Sequence, residues 1–506
     1  ISGAVQDWID ANPDRITHVT ELLLSGTNLA EYRSQMILDA QNGLVTRISH
    51  CASDDESFTQ DSLSERLAFA GVLPMFGFPT RVRNLYVSEP RRFPPRDVVD
   101  RSLDIAISQF APGSETVRDK QVLRSVGVVS YEPAHPRPQS VDGRGWQSRC
   151  GVCQECQALV RNPLDTEVCP VCASTSRYKV VAAWEPHGFM VEPGGPLPDF
   201  NGKFEWQPRS TVARMDCQLS GKFQKLPGTN LLIGSDADLS VLTVNDNNGR
   251  LFRFRPVRGH GAWVVEEHLR YGWRRQLAGG VQQQAALVAR KQTDVLLLRI
   301  DVDSPEIMLD PLDSRNGSAV RAAFLSLAHL IRRQACLALD VEADELNVGV
   351  RLVAGSDARY FEIYLTDTLE NGAGYCAHLG EPSTFEELIL KPLLPEGPAF
   401  QRLVKHGQDC DSSCYDCLRD YGNAGEHALL DWRLGLDLLQ IAVAPDPSPP
   451  ELTGYWDSVV ELAGHSLQKA LSGSTLEHAS GLTCVVYDNS LRCVLTHPFW
   501  PLYHEA

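Results

Sequence analysis

Residues 410–439 read CDSSCYDCLRDYGNAGEHALLDWRLGLDLL, and three cysteines fall within the first eight positions. Their pattern is Cys410-x3-Cys414-x2-Cys417, a spacing that gathers three thiolates on one short loop. A metal ion bound there needs a fourth ligand from elsewhere in the chain. This stretch therefore predicts a zinc site that organises the fold around it.

Two residues are candidates for the fourth ligand. Cys376 lies upstream in ENGAGYC, and His427 lies downstream, on a helix that we expect to begin near Asn423. We favour Cys376, because its glycine-rich loop lets backbone approach the metal and an all-cysteine set suits structural zinc. His427 has an alternative role, a hydrogen bond to Asp431 four residues further along that helix. No catalytic residue is predicted at this site.

A second cysteine cluster lies at residues 150–172, RCGVCQECQALVRNPLDTEVCPVC. The pairs Cys153-x2-Cys156 and Cys169-x2-Cys172 have the spacing of a zinc ribbon, in which two tight turns each present two thiolates. Cys150 could replace Cys153 or Cys156 in this set. Four thiolates fill a tetrahedral site, so we predict a second structural zinc.

Composition and charge limit the class of protein. The chain has 506 residues, is 43% hydrophobic and 22% charged, and carries a net charge of −17. These values predict several domains with buried cores, and they argue against a nucleic-acid binder with a wholly basic surface, although a local basic stripe is compatible with them. No apolar run approaches the roughly 18–20 residues that span a bilayer. We therefore expect a cytoplasmic protein without a membrane, whose fourteen cysteines are not a disulfide scaffold.

The fold class predicted is α+β and multidomain. Helical periodicity marks the N-terminal segment, strand patterns dominate the middle, and helix and strand patterns alternate around the second cysteine cluster. The proline-rich stretch at 444–456 reads as a linker to a small α/β tail. The predicted domains are a helical segment at 1–70, a mixed α/β segment at 71–149, a zinc ribbon at 150–175, a β-rich domain at 176–310, a zinc-binding domain at 311–443 and a small C-terminal domain at 451–506.

Residues 317–367 have the clearest helix and strand pattern in the chain. Val320, Phe324, Leu327 and Ile331 recur at helical spacing in GSAVRAAFLSLAHLIRRQACLALDV and predict one apolar helix face. The stretches LNVGVRLV and RYFEIYLTD follow as two strands. In the tail, DNS predicts a hairpin turn between two short strands.

Two basic segments are candidates for contact with single-stranded DNA. In both, arginines that suit phosphates alternate with aromatic side chains that suit bases. The alternative for each segment is a solvated strand face over an aromatic core. The candidate residues are Arg81, Arg83, Arg91, Arg92 and Arg96 in the first segment, and Arg253 and Arg255 in the second.

Three stretches, YLTDTLENGAGYC, CDSSCYDCLRDYGN and HALLDWRLGLDLL, resemble the zinc-binding C-terminal domain of MrfA-type helicases. VLPMFGFPTRVRNLYV and DIAISQFAPGSETVRDKQVLRSVGV resemble the region that precedes this domain in long DEAD/DEAH-box helicases of that type. The resemblance covers most of residues 65–440. It implies that Cys376, Cys410, Cys414 and Cys417 bind zinc. It also implies a superfamily-two, ATP-dependent DNA helicase or translocase that acts in DNA repair or, in Druantia-like and DISARM-like systems, in antiviral defence.

The chain departs from that family in one respect. It has no G-x4-G-K-[ST] loop and no DEAD or DEAH box, so we expect no ATP hydrolysis by this chain alone. ATP would then bind only to a helicase motor outside it, either upstream in the same polypeptide or in a partner subunit. The first residue, Ile1, favours a longer polypeptide, and a trimmed chain is the alternative. The competing function is a non-catalytic, zinc-stabilised scaffold that partners a separate helicase.

Overall fold

The computed structural model describes most of the chain. The described residues are 2–24, 32–52, 63–69, 72–73, 81–164, 167–204, 212–217, 222–236, 240–280, 282–354, 359–370, 372–479, 482–487 and 491–501. Part of the VLPMFGFPTRVRNLYV stretch, residues 74–80, and the DNS turn at 488–490 lie outside them. The chain divides into two compact units, Ile1–Val82 and Arg83–Ala506.

The first unit is helical, as the sequence predicts. Ile9, Ile48 and Cys51 are buried among its helices. The helices are α1 (Ser2–Ala11), α2 (Pro13–Leu24), α3 (Arg33–Asn42), α4 (Leu44–Cys51) and α5 (Leu63–Phe69).

The second unit mixes helices and sheets, which confirms the α+β prediction. Its helices are α6 (Leu103–Gln109), α7 (Gly317–Leu339), α8 (Tyr375–Leu379), α9 (Pro382–Phe385), α10 (Lys391–Leu393), α11 (Pro398–His406), α12 (Trp432–Val443) and α13 (Asp457–Ala470). A π-helical turn, Glu386–Leu390, joins α9 to α10. Short 3₁₀ turns lie at Glu266–His268, Gly272–Gln276, Ala343–Glu345, Ala424–Glu426 and Gly454–Trp456.

The strands form one large sheet and three smaller groups. They are β1 (Val82–Tyr86), β2 (Val98–Ser102), β3 (Glu115–Arg118), β4 (Gln121–Val128), β5 (Ser130–Glu132), β6 (Gln139–Val141), β7 (Trp146–Cys153), β8 (Leu159–Arg161), β9 (Tyr178–Glu185), β10 (Gly188–Val191), β11 (Val212–Met215), β12 (Gln224–Lys225), β13 (Leu231–Asp236), β14 (Ser240–Asn245), β15 (Phe252–Pro256), β16 (Trp263–Val265), β17 (Gln283–Gln292), β18 (Val295–Ile300), β19 (Leu346–Ala354), β20 (Arg359–Asp367), β21 (Thr475–Ala479), β22 (Leu482–Tyr487) and β23 (Leu491–Val494).

The large sheet has the order β2-β1-β10-β4-β16-β15-β17-β9-β7-β8, with β14 beside β17, β11 beside β14, and β3 beside β4. A second, antiparallel sheet has the order β12-β13-β18-β20-β19. The tail forms a three-stranded sheet, β21-β22-β23, and β22 pairs antiparallel with β23 as the hairpin prediction requires. β5 and β6 form a separate pair.

Helix α7 is the longest helix of the predicted zinc-binding region. Its four predicted apolar positions, 320, 324, 327 and 331, are all buried. The helix ends at Asp340, whose φ of 55° places it in the left-handed region that commonly terminates helices. α7 packs against β19, β20 and α12. At the crossing with α12, Gly435 lets the two backbones approach closely, because a Cβ there would lie 3.0 Å from the Leu327 nitrogen.

A buried ion network fixes the second sheet. Glu362 on β20 is fully buried, and its carboxylate accepts hydrogen bonds from Arg299 Nε on β18 and Arg351 Nε on β19, each at 2.8 Å. Register pairs Glu362 directly with both arginines. Removing one member would leave an uncompensated buried charge, so the network locks the order of these three strands.

Two candidate metal centres

The first centre is built by two similar turns. Cys153 ends β7, and its N–H donates to the Ala158 carbonyl at 3.1 Å, which closes the turn that carries Cys156. Gln157, directly after Cys156, has a φ of 60°. This reversal of the backbone directs the thiolates of the turn to one side.

The second turn repeats this construction. The Cys169 N–H donates to the Ser174 carbonyl at 3.0 Å, and the Ala173 N–H donates back to the Cys169 carbonyl at 2.9 Å. Ala173 follows Cys172 and has a φ of 58°, close to that of its counterpart in the first turn. The two cysteine pairs are therefore presented by matching backbone geometry.

The sulfur positions of the first centre fit zinc. Sulfurs bound to one tetrahedral zinc at about 2.3 Å lie about 3.8 Å apart. The Cys153 and Cys172 sulfurs are 3.5 Å apart, and those of Cys156 and Cys169 are 3.7 Å apart. All four lie within 4.8 Å of one another. The predicted set is thus brought together as a four-thiolate site.

Cys150 is not part of this group. It lies three residues before Cys153 on the same strand, and an odd spacing puts the two side chains on opposite faces of the sheet. Its thiol packs in an apolar cluster with Leu159, Leu242 and Val288. Burial there raises the pKa of Cys150 to about 11, so it stays a protonated core thiol.

The second centre contains a fourth candidate ligand that the sequence does not point to as directly. His406 is the last residue of α11, and its side chain joins Cys410, Cys414 and Cys417 in a group whose ligand atoms all lie within 4.8 Å of one another. The Cys417 sulfur is 3.9 Å from that of Cys410 and 3.8 Å from that of Cys414. His406 Nε2 lies 3.2 Å from the Cys414 sulfur. The set is three thiolates and one imidazole, a common composition for structural zinc.

Cys376 lies outside that group. It is fully buried at the start of α8, where its N–H donates to Asp367 Oδ1 at 2.9 Å. The same carboxylate accepts N–H groups from Ala373 at 2.6 Å and Tyr375 at 3.1 Å. The backbone of the glycine-rich loop therefore wraps around the carboxylate of Asp367. Burial, with Asp367 beside it, raises the pKa of the Cys376 thiol well above its usual range.

His427 also lies outside the group. Its Nε2 donates to the Asp420 carbonyl at 3.0 Å and to Asn423 Oδ1 at 2.9 Å, so the expected bond to Asp431 is not formed. The predicted helix start near Asn423 is wrong. Only a 3₁₀ turn follows that residue, and α12 begins at Trp432, where the Asp431 side chain caps the helix by accepting from the Arg433 N–H at 2.9 Å.

Hydrogen bonds support the thiolates of the second centre. The Cys414 N–H lies 3.0 Å from the Cys417 sulfur, and the Asp416 N–H lies 3.3 Å from the Cys414 sulfur. Such donors stabilise negative charge on sulfur and orient the ligands. Burial raises the pKa of Cys410 to about 12, so metal binding must displace a proton from this thiol.

The cysteine loop is clamped to the start of α12. Arg433 is 1% exposed, and its guanidinium donates to the carbonyls of Asp411 and, at 3.4 Å, Cys410. The Trp432 N–H donates to the Ser412 carbonyl at 3.1 Å. From the other side, Arg333 on α7 donates to the Cys417 carbonyl at 2.9 Å. The loop is thereby held between the two longest helices of this region.

The arginines predicted to contact nucleic acid differ in their exposure to solvent. Arg81 and Arg83 are each 5% exposed, and Arg83 Nε donates to the Pro186 carbonyl at 2.7 Å. Arg255 is half-buried and pairs with Glu266 at 2.7 Å. These three side chains are thus engaged within the fold. The other four, Arg91, Arg92, Arg96 and Arg253, are exposed.

Comparison with known proteins identifies the region around the second centre. Residues 327–418 match the family described as the MrfA Zn-binding domain. The match runs from α7 to the residue after Cys417 and includes both His406 and Cys376. It confirms the resemblance drawn from the sequence and, with the geometry of the two centres, supports zinc as the metal.

Among curated proteins, the chain is 26% identical over 422 residues to the Druantia protein DruE of Escherichia coli (strain UMEA 4076-1). The alignment covers 76% of this chain and 22% of the relative, so the chain spans about a fifth of the length of that protein. The crystal structure of the DUF1998 helicase MrfA bound to DNA matches 71% of this chain and 33% of its own, with 10% identity and a TM-score of 0.34. The structure of the same helicase bound to DNA and AMPPNP gives 8% identity and a TM-score of 0.27 over 70% of this chain and 32% of its own.

Within the described residues, no helix is long and apolar enough to cross a membrane.

Proposed function

We propose that this chain is the zinc-bearing accessory region of a superfamily-two, ATP-dependent DNA helicase or translocase, where it guides single-stranded DNA and braces the motor. The observation that carries the proposal is the match to the MrfA Zn-binding domain over residues 327–418, because it contains a complete set of four metal ligands. The likeness to a Druantia protein favours antiviral defence over DNA repair as the setting. We place the protein in the cytoplasm.

Both zinc ions are structural in this proposal. Cys153, Cys156, Cys169 and Cys172 hold the first, and the second is held by the set that includes His406. Four protein ligands fill a tetrahedral site and leave no position for water or substrate. ATP hydrolysis is therefore assigned to a motor outside this chain, in the same polypeptide or in a partner subunit.

The acidic balance of the chain favours a second candidate function. With a net charge of −17, the protein could serve as a scaffold that touches a helicase and not DNA. The two functions differ in one measurable property. Only the DNA-guiding function requires the purified chain to bind single-stranded DNA with an affinity that falls as salt rises.

The first experiment is fluorescence anisotropy of a labelled single-stranded oligonucleotide with the purified, zinc-loaded chain at several salt concentrations. We expect binding with a negative slope of log K against log salt, and weaker binding to a duplex of the same sequence. A chain that carries two zinc ions and binds no single-stranded DNA at low salt would refute the guiding role and leave the scaffold.

A second experiment tests the link to a motor. The native gene product is isolated from its source cell, and its intact mass and co-purifying proteins are measured. We expect either a polypeptide much larger than 55.9 kDa or a separate helicase in the complex, with DNA-stimulated ATP hydrolysis in both cases. A product of 55.9 kDa without an associated ATPase would contradict the proposal.

A further inference from the structure

A cleft of about 580 Å³ lies inside the second unit, between the two metal centres. Cys156 and Gln157 of the first centre form part of its wall. Gly422 and Asn423, which follow the cysteine loop of the second centre, form another part. α6, β11, β14, α7 and the β19–β20 hairpin supply most of the rest, including the acidic Asp104 of α6.

Four arginines line this cleft, and they fall into two classes. Arg332 pairs with Asp420, and Arg351 pairs with the buried Glu362 at 2.6 Å. Arg214 on β11 and Arg321 on α7 have only neutral partners: Arg214 donates to the Gln157 carbonyl at 3.5 Å, and Arg321 donates to the Gln157 side-chain oxygen. Among the described residues, no carboxylate lies within 4.0 Å of either.

Neither arginine has a direct ion pair, and their charge is offset only by groups at longer range: Asp246 and the Cys153 and Cys156 thiols act on Arg214, and Glu426 and the Cys156 thiol act on Arg321. The acid that acts on Arg321, Glu426, is already engaged with His329 at 3.0 Å. Burial lowers the pKa of both Arg214 and Arg321, and the Arg214 guanidinium further lowers the pKa of Arg321. Partly buried cations without a directly paired carboxylate are costly, which points to a ligand that supplies negative charge.

Two tyrosines lie on the cysteine loop and the segment after it, outside the lining of the cleft. Tyr421 is 93% exposed, Tyr415 is 59% exposed, and their ring centroids are 5.9 Å apart. Tyr421 directly precedes Gly422, which lines the cleft. Exposed aromatic rings on a loop fixed by metal offer a rigid stacking surface at small entropic cost.

We propose that this cleft binds a short segment of single-stranded DNA, with Arg214 and Arg321 on its phosphates and Tyr421 and Tyr415 stacked on its bases. The inference rests on the proposed DNA-guiding function and assigns it a site. The volume corresponds to a space of about 8 Å in each direction, which is far narrower than a whole DNA duplex. A single strand therefore fits where a duplex does not.

The competing explanation is that Arg214 and Arg321 only hold Gln157, and with it the first zinc turn. Neutral substitutions separate the two roles, because glutamine keeps hydrogen bonding and loses the charge. The test variant is R214Q/R321Q in the full chain. The matched control is R402Q/R492Q, which removes the same two charges from exposed positions.

The readout is the affinity for a single-stranded oligonucleotide across a salt series, with zinc content and thermal unfolding recorded for every variant. Each phosphate contact to a single strand contributes about 0.7 to the slope of log K against log salt. We expect the slope of R214Q/R321Q to shrink by about 1.4 and its affinity to fall tenfold or more, whereas R402Q/R492Q changes the slope by less than half as much.

Tyr421→Ala tests the same site independently. Because the ring is exposed, we expect its removal to leave the fold intact, so a loss of binding reports on the site itself. We expect a loss of about fivefold or more with an unchanged salt slope, because stacking carries no charge. Tyr487→Ala, a 40% exposed tyrosine on β22, is the control and should bind as the wild type does.

The outcomes distinguish a failure of the proposed DNA-guiding function from a failure of the cleft as its site. If the wild-type chain binds no single-stranded DNA, the proposed guiding function fails. If the wild type binds but both R214Q/R321Q and Tyr421→Ala keep wild-type affinity and slope, the cleft assignment fails while the function stands. Equal binding of a duplex, with equal sensitivity to R214Q/R321Q, would also overturn the assignment.

Discussion

Replacing His406 with alanine tests the assignment of the second metal centre most directly. Loss of a hydrogen-bonding partner outside the ligand set typically weakens metal binding 10–100-fold. Removing one of the four ligands should therefore cost more than about 100-fold, or roughly 3 kcal/mol or more of binding free energy. Because a structural zinc contributes its binding energy to folding, the variant should also unfold more easily.

The distances in the structure favour this outcome over the alternative. In a tetrahedral site, a nitrogen at about 2.0–2.1 Å and a sulfur at about 2.3 Å from zinc lie roughly 3.6 Å apart. His406 Nε2 is 3.2 Å from the Cys414 sulfur, so a small displacement admits the ion. Cys376, in contrast, is hydrogen-bonded through its backbone to Asp367 and lies outside the group of four.

The assay is zinc content after equilibration with graded concentrations of a chelator. Wild type should retain two zinc ions per chain, His406→Ala should fall to one at a much lower chelator concentration, and Cys376→Ala should follow the wild type. Cobalt substitution adds a second readout, because the ligand-field spectrum distinguishes three thiolates with one imidazole from four thiolates. If Cys376→Ala loses one zinc and His406→Ala keeps both, the geometric reasoning is refuted.

Three other variants probe the fold around the centres. Glu362→Gln removes the fully buried carboxylate that Arg299 and Arg351 share and should cost about 3–5 kcal/mol in chemical unfolding, whereas Glu387→Gln, whose side chain is 65% exposed, should cost less than about 1 kcal/mol. Burial raises the pKa of Asp431 to about 6, above its value of 3.8 in the unfolded chain, so its contribution to stability is present below about pH 4 and is lost as pH rises to 6. Asp431→Asn retains a capping side chain, so its unfolding free energy should match that of the wild type at pH 4 and exceed it by up to roughly 3 kcal/mol at pH 7. The same difference between variant and wild type at both pH values would contradict burial of the carboxylate as the cause. Gly435→Ala places a Cβ 3.0 Å from the Leu327 nitrogen and should lower the unfolding free energy by about 1–3 kcal/mol by forcing α12 from α7, whereas Gly425→Ala, which has open space around it, should not.

Local patterns were sufficient to predict α7, β19 and β20 in the zinc-binding region. The period of four buried positions along α7 and the strand-forming composition of β19 and β20 depend on neighbours within one element. The four cysteines of the first centre also follow from spacing, because each pair is a self-contained turn. The domain boundaries proposed from composition stay predictions.

The fourth member of the candidate group at the second centre required information that spacing does not carry. His406 lies only four residues before Cys410, so the pattern H-x3-C-x3-C-x2-C was present in the sequence. The sequence nevertheless favours Cys376 over His406, because the glycine-rich loop before Cys376 resembles a metal-binding turn. In the structure that loop wraps the carboxylate of Asp367, and its glycines serve backbone reversals, with φ of 85° at Gly374. A loop that encloses a carboxylate and one that encloses a metal need the same backbone flexibility.

The helix start was misplaced for a related reason. Asn423 has the composition of a helix cap, but its side chain is buried and donates to the Leu418 carbonyl at 2.8 Å. It therefore stabilises the turn after the cysteines and leaves the capping role to Asp431. Local capping preference was overridden by the need to satisfy polar groups near the metal loop.

The positions of the metal centres link their structural role to the proposed path of DNA. The first centre places Gln157 in the wall of the cleft, where it meets both unpaired arginines, and the second fixes the loop that carries Tyr415 and leads into Tyr421. Loss of either zinc should release one wall of the cleft without removing any of the residues proposed to contact DNA. Chelation should therefore abolish the R214Q/R321Q-sensitive part of single-stranded DNA binding, even though neither metal ion takes part in the contact. If the metal-free chain keeps the R214Q/R321Q-sensitive part of its binding, the zinc ions are not needed to form the cleft and contribute to stability alone.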